Sequence, residues 1–592
     1  MRKILGLLVL AIIVAIASVA VAAQPLFVAY PPANHETTAD RIFLIGTAPA
    51  QGQVFVNGKP IENRSPAGHF APTFPLQAGE NSFSLRYENQ EVKIKVTRKS
   101  NQPEVPVGAT FAKASLMPSQ DIARMPGELI CFSAIAPPNA QVSVKLAGDT
   151  IPLMARSQVD LPDNKAVLVG GNSPEKSAIG QYQGCAQISL ETGEKAKLDL
   201  GSPQFQLTVN GQTVTQQGTG KITILSPTQF EVAEVTADAG VARTGPSTDF
   251  SRLTPLPKGT RAAIVSREGE WLRLDYGAWI KASEVRILKD AVPVRSLIRS
   301  ASARQVGEWT EVRFPLEVAV PVAVQQGEQT FILTLYNTTA QTDIIRLDDD
   351  PVISRLDWQQ ISPQQVQYTF NLKSAQHWGY KLRYEGTTLI LSLKHPPVGA
   401  KISTTEKPLA GIKILLDPGH GGAQDMGGIG PTGYREKSVA LIISKLVREE
   451  LVNRGANVIM TREEDIDLDL PPRVEMINKQ EPAIAISLHY NALPDNGDAI
   501  KTKGIGAFWF HPQAHSLAMF LHNYLVEKLD RPTYGVFWNN LAMTRPAVAP
   551  SVLMELGFMI NPVEFEWIVN PTEQKKLANA IAQGITEWFA TR

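Results

Sequence analysis

Four ionisable residues in the last third of the chain sit where a globular sequence would ordinarily place none. His420 follows directly on the apolar run "ILLDPG", and His489 ends "AIAISLHYNA". Glu555 interrupts the otherwise apolar "SVLMELGFM", and Glu436 opens a helical segment behind the glycine-rich "GGIGPTGYR". Such groups are costly to bury unless they are paired with one another or bound to a metal. Two imidazoles and one carboxylate make the donor set of a catalytic zinc site, with the fourth position left to water. His420, Glu436 and His489 are therefore the candidate metal ligands. Glu555 is the candidate catalytic residue, able to take a proton from that water and pass it to a leaving nitrogen. The bland readings are a hydrogen-bonded core histidine, a carboxylate favoured by a helix dipole, and a buried ion-pair partner. No H-E-x-x-H pair is present, so any metal must be gathered from distant segments.

The elements that gather them alternate. From residue 409 onward the pattern reads strand "IKILLDP", helix "EKSVALIISKLVREELVNRG", strands "NVIMTR", "AIAISLHYNA" and "GIGAFWFHP", helix "SLAMFLHNYLVEKL", strand "SVLMELGFMI" and a last helix from about 571 to 589. Val439, Ile442, Ile443, Leu446 and Leu451 form one stripe of the first helix, and Gly455 suits its C-terminal stop. Such alternation predicts an α/β domain in which helices flank a mixed, mostly buried sheet. Ligands collect at strand ends in such sheets, and the glycines around His420 let the backbone turn to aim its ring. His511, His515 and His522 read as solvated or structural histidines, not as a second metal pair.

"DPGHGG", "GPTGYREK", "SLHYNA" and "MELGFMIN", in this order over residues 412 to 590, resemble the zinc-dependent N-acetylmuramoyl-L-alanine amidases of family 3. The resemblance implies that His420, Glu436 and His489 bind Zn2+ and that Glu555 is the catalytic glutamate. It implies cleavage of the amide joining N-acetylmuramic acid to L-alanine in peptidoglycan, for wall remodelling or cell separation. Tyr434 and Tyr490 depart from the family's usual residues without removing a ligand. Arg473 matches an arginine common in the family and is left outside the catalytic set. The short polar loop "ALPDNGDAIKTK" leaves no room for the helical plug of some relatives, although an envelope activator protein is an implied partner. Two rivals remain: an inert peptidoglycan-binding envelope protein, and a zinc peptidase acting within the stem peptide.

At 592 residues the chain needs several cores. Before residue 396 the pattern is short period-two runs broken by Gly, Pro and Asn, which predicts all-β modules. Residues 25–99 resemble an immunoglobulin-like sandwich, and 110–226 read as a second sandwich with a polar insertion near 155–180. Residues 230–288, with Arg243-Thr244-Gly245-Pro246-Ser247, Trp271 and Trp279, resemble a bacterial SH3-type barrel. Residues 291–395 are similar in strand pattern to an AMIN-type unit. A linker is expected at 396–408 and the catalytic domain at 409–592. The opening 1–23, "MRK" followed by an uncharged apolar run ending in Ala-Val-Ala, reads as a cleaved export signal. That predicts a periplasmic, envelope or extracellular protein with no stable transmembrane span once the signal is removed. Cys131 and Cys185 are the only cysteines and in an exported protein read as one disulfide. With 57 basic and 57 acidic residues, nothing favours nucleic acid as a partner.

Overall fold

The computed structural model describes residues 25–100, 105–162, 164–169, 175–187, 197–397 and 407–592. The export signal expected at 1–23 and most of the linker expected at 396–408 lie outside the described residues. Among the described residues no helix is long and apolar enough to cross a membrane.

The last part of the chain is the expected α/β layer structure. Its strands are β1 (Lys413–Pro418), β2 (Asn457–Met460), β3 (Ile484–Asn491), β4 (Ile505–Trp509), β5 (Thr533–Trp538) and β6 (Ser551–Phe558). Its helices are α1 (Glu436–Asn453), α2 (Leu470–Gln480), α3 (Pro512–Lys528), α4 (Pro562–Ile568) and α5 (Pro571–Ala590). The sheet order is β2-β1-β3-β6-β4-β5. The β4–β6 pairing is antiparallel and the others are parallel, so the sheet is mixed.

Alternation along β1 explains how both faces are covered. Ile414 and Leu416 enter the main core with Val439, Ile443 and Leu451 of α1 and Leu577 and Ile581 of α5. Leu415, between them, turns the other way to Ile477 of α2, Met543 and Trp309. The stripe expected on α1 is shifted: Val439, Ala440, Ile443, Val447 and Leu451 are buried, whereas Ile442 is 39% exposed.

The described residues before 396 are β-rich. Residues 26–98 build a three-stranded and a five-stranded sheet around Leu44, Val54, Phe70 and Leu85. Cys131 and Cys185 are register partners on antiparallel strands Leu129–Ile135 and Glu175–Gln187 and are joined as a disulfide. At both ends of the polar stretch expected as an insertion near 155–180, strand Asp149–Asp160 pairs with Glu175–Gln187 out to Asp160↔Glu175. Strand Ile122–Arg124 pairs with Arg261–Glu268, so one sheet runs across the 110–226 and 230–288 regions. Two further sheets within 296–394 face each other over Val312, Phe314, Phe331, Tyr368 and Phe370.

Two of these β units pack onto the α/β domain. Trp378 is a member of the α/β core, lying 9° from parallel to Phe589 with ring centroids 5.9 Å apart. From the N-terminal unit, Phe43, Ile45 and Ala71 form one buried cluster with Ala499, Phe558 and Ile560. Beside it, the Tyr30 hydroxyl donates to Asp495, and His35 Nε2 lies 2.9 Å from the same carboxylate.

Candidate metal centre

The three proposed ligands arrive from the C-terminal end of β1, the N-terminus of α1 and the C-terminal end of β3. Their donor atoms all lie within 4.8 Å of one another, the one such His/Cys/Asp/Glu group among the described residues. Glu436 Oε1 stands 3.1 Å from His420 Nε2 and 3.0 Å from His489 Nδ1. The two imidazoles are close to perpendicular, at 80°, with centroids 4.9 Å apart.

The turn after β1 is built for close approach. A Cβ on Gly419 would fall 2.3 Å from His489 Cε1, so only glycine lets the chain pass that ring. His420 itself has φ +58°, a left-handed conformation that a non-glycine residue adopts at a cost of about 1 kcal/mol or more. Two arginines hold it there. Arg473 donates to the carbonyls of Pro418 (2.8 Å) and His420 (2.7 Å), and Arg462 to those of Pro418 (3.1 Å) and Gly419 (2.8 Å). Gly427 is the second place where a side chain is barred, since its Cβ would lie 2.6 Å from both Glu436 Oε2 and His420 Cδ2.

Glu436 is buried at the first residue of α1, where the helix dipole favours an anion. Its Oε1 accepts from the Tyr490 amide (3.0 Å) and its Oε2 from the Gly428 amide (2.7 Å). Burial alone would raise this carboxyl, but hydrogen bonds from His420 and His489 hold it well below the usual carboxylate range. Burial likewise pulls His420 down, yet Glu436 and then Asp425 outweigh it and push the imidazole up to about 9. The cluster thus draws positive charge to the space between its donors.

The donor set fits a zinc ion. Tetrahedral ligation with bonds of about 2.0–2.1 Å spaces ligand atoms roughly 3.3 Å apart, close to the 3.0 and 3.1 Å of the two histidine–Glu436 pairs, with all three donors within 4.8 Å. Each histidine also has an outer partner: Asp425 accepts from His420 Nδ1 at 2.6 Å, and Ser487 Oγ lies 3.1 Å from His489 Nε2.

Glu555 stands beside this group on β6, in register with His489 on one side and Gly506 on the other. Its Oε2 is buried and has no hydrogen-bond partner. Burial and the charge of Glu436 raise its pKa well above the ordinary glutamate value, against an opposing effect of His420. An unsatisfied, proton-avid oxygen next to a cation-ready donor set is what a general base or acid requires. Burial, then the Glu555 charge, push Tyr534 up to about 12, and its hydroxyl donates to Leu168 O at 2.7 Å.

The structure therefore brings together all four residues singled out from sequence. His511 donates from Nε2 to Arg545 O (2.8 Å), and His522 contacts Thr533 (2.9 Å); neither joins the cluster. Asp417, Asp425, Arg462, Ser487 and Tyr534 were not assigned from sequence. Asp417 and Ser487 lay within the quoted motifs, but an internal strand residue signals no partner until the strands are paired. Arg473, set apart from the catalytic residues, pairs with buried Asp417 at 2.8 Å.

The same segment of the chain is similar to known proteins. The sequence profile of the N-acetylmuramoyl-L-alanine amidases matches residues 414–587. A germination-specific N-acetylmuramoyl-L-alanine amidase of Bacillus subtilis is 34% identical over 207 residues, covering 31% of this chain and 83% of that protein. A probable cell wall amidase, LytH, of Staphylococcus epidermidis is 31% identical over 195 residues, covering 33% of this chain and 64% of the relative. Among solved structures, an N-acetylmuramoyl-L-alanine amidase of Clostridium difficile 630 is 28% identical, with 31% of this chain and 99% of that chain covered and a TM-score of 0.29. Through residues 414–587 the chain belongs to the N-acetylmuramoyl-L-alanine amidase family.

Proposed function

We propose that this protein hydrolyses the amide between the lactyl group of N-acetylmuramic acid and the L-alanine of the stem peptide, with Zn2+ held by His420, Glu436 and His489. The observation that carries the reading is the unpartnered Glu555 Oε2 in register with His489, beside three donors at ligand spacing. When bound, zinc would supply a Lewis acid that polarises the scissile carbonyl and acidifies water. Glu555 takes a proton from the attacking water at Oε2 and delivers it to the departing nitrogen. A C–O bond forms and the C–N bond breaks, leaving a lactyl carboxylate and a free L-alanine amine. Arg462 and Arg473 keep the His420 turn fixed while this happens, and the Gly428 and Tyr490 amides fix the Glu436 carboxylate.

In this reading the protein acts outside the cytoplasm on the wall, consistent with an export signal at 1–23 and one disulfide. The regions 25–99, 110–226, 230–288 and 291–395 are taken as immunoglobulin-like, sandwich-like, SH3-like and AMIN-like units. The first and last of these regions pack against the α/β domain, which makes them parts of one enzyme and not loose tethers. An envelope activator protein is a further proposed partner.

The test is metal analysis joined to turnover. Freshly purified protein should contain about one zinc per chain, lose peptidoglycan hydrolysis on chelation and regain it on zinc addition. Undiminished hydrolysis by protein free of zinc would overturn the metal assignment.

A further inference from the structure

The two histidines present opposite ring nitrogens to the metal position: Nε2 from His420 and Nδ1 from His489. For His420 the reason is local, since the Asp425 carboxylate takes the Nδ1 proton at 2.6 Å. For His489 the reason lies deeper in the sheet. Ser487, two residues earlier on β3 and on the same strand face, has its Oγ 2.5 Å from Asp417 Oδ2 and 3.1 Å from His489 Nε2.

A carboxylate can only accept, so the single Ser487 hydroxyl proton is committed to Asp417. The remaining lone pairs of Ser487 Oγ then face His489 Nε2, and that nitrogen must carry a proton. Nδ1, 3.0 Å from the Glu436 carboxylate, is then the nitrogen whose proton a bound metal would displace. Asp417 is fixed in turn by Arg473 (2.8 Å) and the Thr461 hydroxyl (2.5 Å) on its other oxygen. The same Arg473 donates to the His420 carbonyl. Asp417, Ser487 and Arg473 are nearly fully buried, so water does not compete for these bonds.

We propose that Asp417 and Ser487 are positioning residues that set the ring tautomer of His489, holding Nε2 protonated and Nδ1 free for the metal, while Arg473 couples that carboxylate to the turn carrying His420. One buried carboxylate thereby prepares both histidines. The proposal rests on the reading of His420, Glu436 and His489 as metal ligands.

It makes a prediction that simple loss of packing does not. In Asp417→Asn, Arg473 and Thr461 still require an acceptor, so the amide oxygen faces them and the amide NH2 replaces Oδ2. That NH2 donates to Ser487, whose own proton then turns to His489 Nε2. The relay is reversed, and the ring is driven to the Nδ1–H form that cannot ligate through Nδ1. Ser487→Ala only removes the constraint, leaving the ring free to choose.

The experiment is zinc affinity by chelator competition on the full chain, together with long-range proton–nitrogen spectra of protein labelled with 15N-histidine. Wild-type protein should show His489 protonated at Nε2 and metallated at Nδ1, with His420 the reverse. Asp417→Asn should bind zinc about 10–100-fold more weakly, the range for loss of a metal site's outer partner, and more weakly than Ser487→Ala. Wild-type affinity in Asp417→Asn, or a wild-type His489 metallated at Nε2, would overturn the relay alone. Wild-type protein that takes up no zinc would remove the ligand set and this proposal with it. Should Asp417→Asn fail to fold, the Ser487→Ala spectra decide. In the zinc-loaded protein, faster solvent exchange of the His489 Nε2 proton in Ser487→Ala than in wild type supports the relay, and an unchanged exchange rate refutes it.

Discussion

His489 and Glu555 face each other across neighbouring parallel strands, residue for residue in the β3–β6 ladder. The pairing puts a carboxyl with no hydrogen-bond partner beside a metal-ready imidazole. Replacing Glu555 by Gln keeps the shape and removes the proton-transfer capacity. Glu555→Gln is expected to retain stoichiometric zinc while hydrolysis falls about 10²–10⁴-fold, the usual contribution of a general acid–base group. Metal analysis and turnover on the same preparation check this; hydrolysis near the wild-type rate would withdraw the role from Glu555.

Trp378 ties the preceding β unit to the α/β domain. It packs against Trp588 at 5.5 Å between centroids as well as against Phe589. Trp378→Ala leaves a cavity that those rings cannot close, and losses for such large-to-small changes run to about 3–5 kcal/mol. Thermal and denaturant unfolding should show the α/β domain losing stability in step with the 296–394 sheets. An unchanged midpoint would mean that the two regions are energetically independent.

How much of this was legible in the sequence follows from what each signal encodes. The α/β domain announced itself because strand and helix periods alternate, and the four chemical residues stood out as ionisable groups within or just after apolar strands and at the start of the first helix. Ile442 was misplaced because an apolar side chain at helical spacing does not reveal which edge of the stripe meets a neighbour. The pairing at the two ends of the 155–180 stretch was not legible, because a backbone ladder needs no apolar alternation. The Asp417–Ser487 contact joins residues 70 apart and exists only because β1 and β3 are adjacent, a pairing not spelled out by either segment. The packing of Phe43 against Phe558 and Ile560 was likewise invisible, since an apolar strand residue looks the same whether it fills its own core or a neighbour's.

The Cys131–Cys185 bond closes a loop with a sequence separation of 54. On the chain-entropy account a loop of that size is worth about 4 kcal/mol, with measured values for native bridges commonly 2–5 kcal/mol. Changing both cysteines to serine should lower the unfolding midpoint of the 110–226 region. Protease susceptibility there should rise under conditions that leave the α/β domain intact. Identical melting with and without a reducing agent would contradict this.

His511 supplies a pH signature away from the metal. Its ring is set between Tyr380 and Phe510, and burial pushes its pKa from 6.5 down to about 4, partly offset by its bond to Arg545 O. The folded form therefore keeps the ring neutral while the unfolded chain protonates near 6.5. Stability is full above that value and declines as the pH falls toward 4, with about one proton taken up on unfolding in this window. His511→Gln should flatten that part of the stability–pH curve when melting is followed between pH 7 and 4. An unchanged slope would mean that the ring is protonated in the native state.

The most direct test of the central claim is the identity of the new chain ends after digestion of purified peptidoglycan with the zinc-loaded full chain. The account predicts stem peptides released with a free L-alanine amine, uncut glycan strands, and no such release by Glu555→Gln. New amino ends within the stem peptide, or new reducing sugar ends, would contradict it.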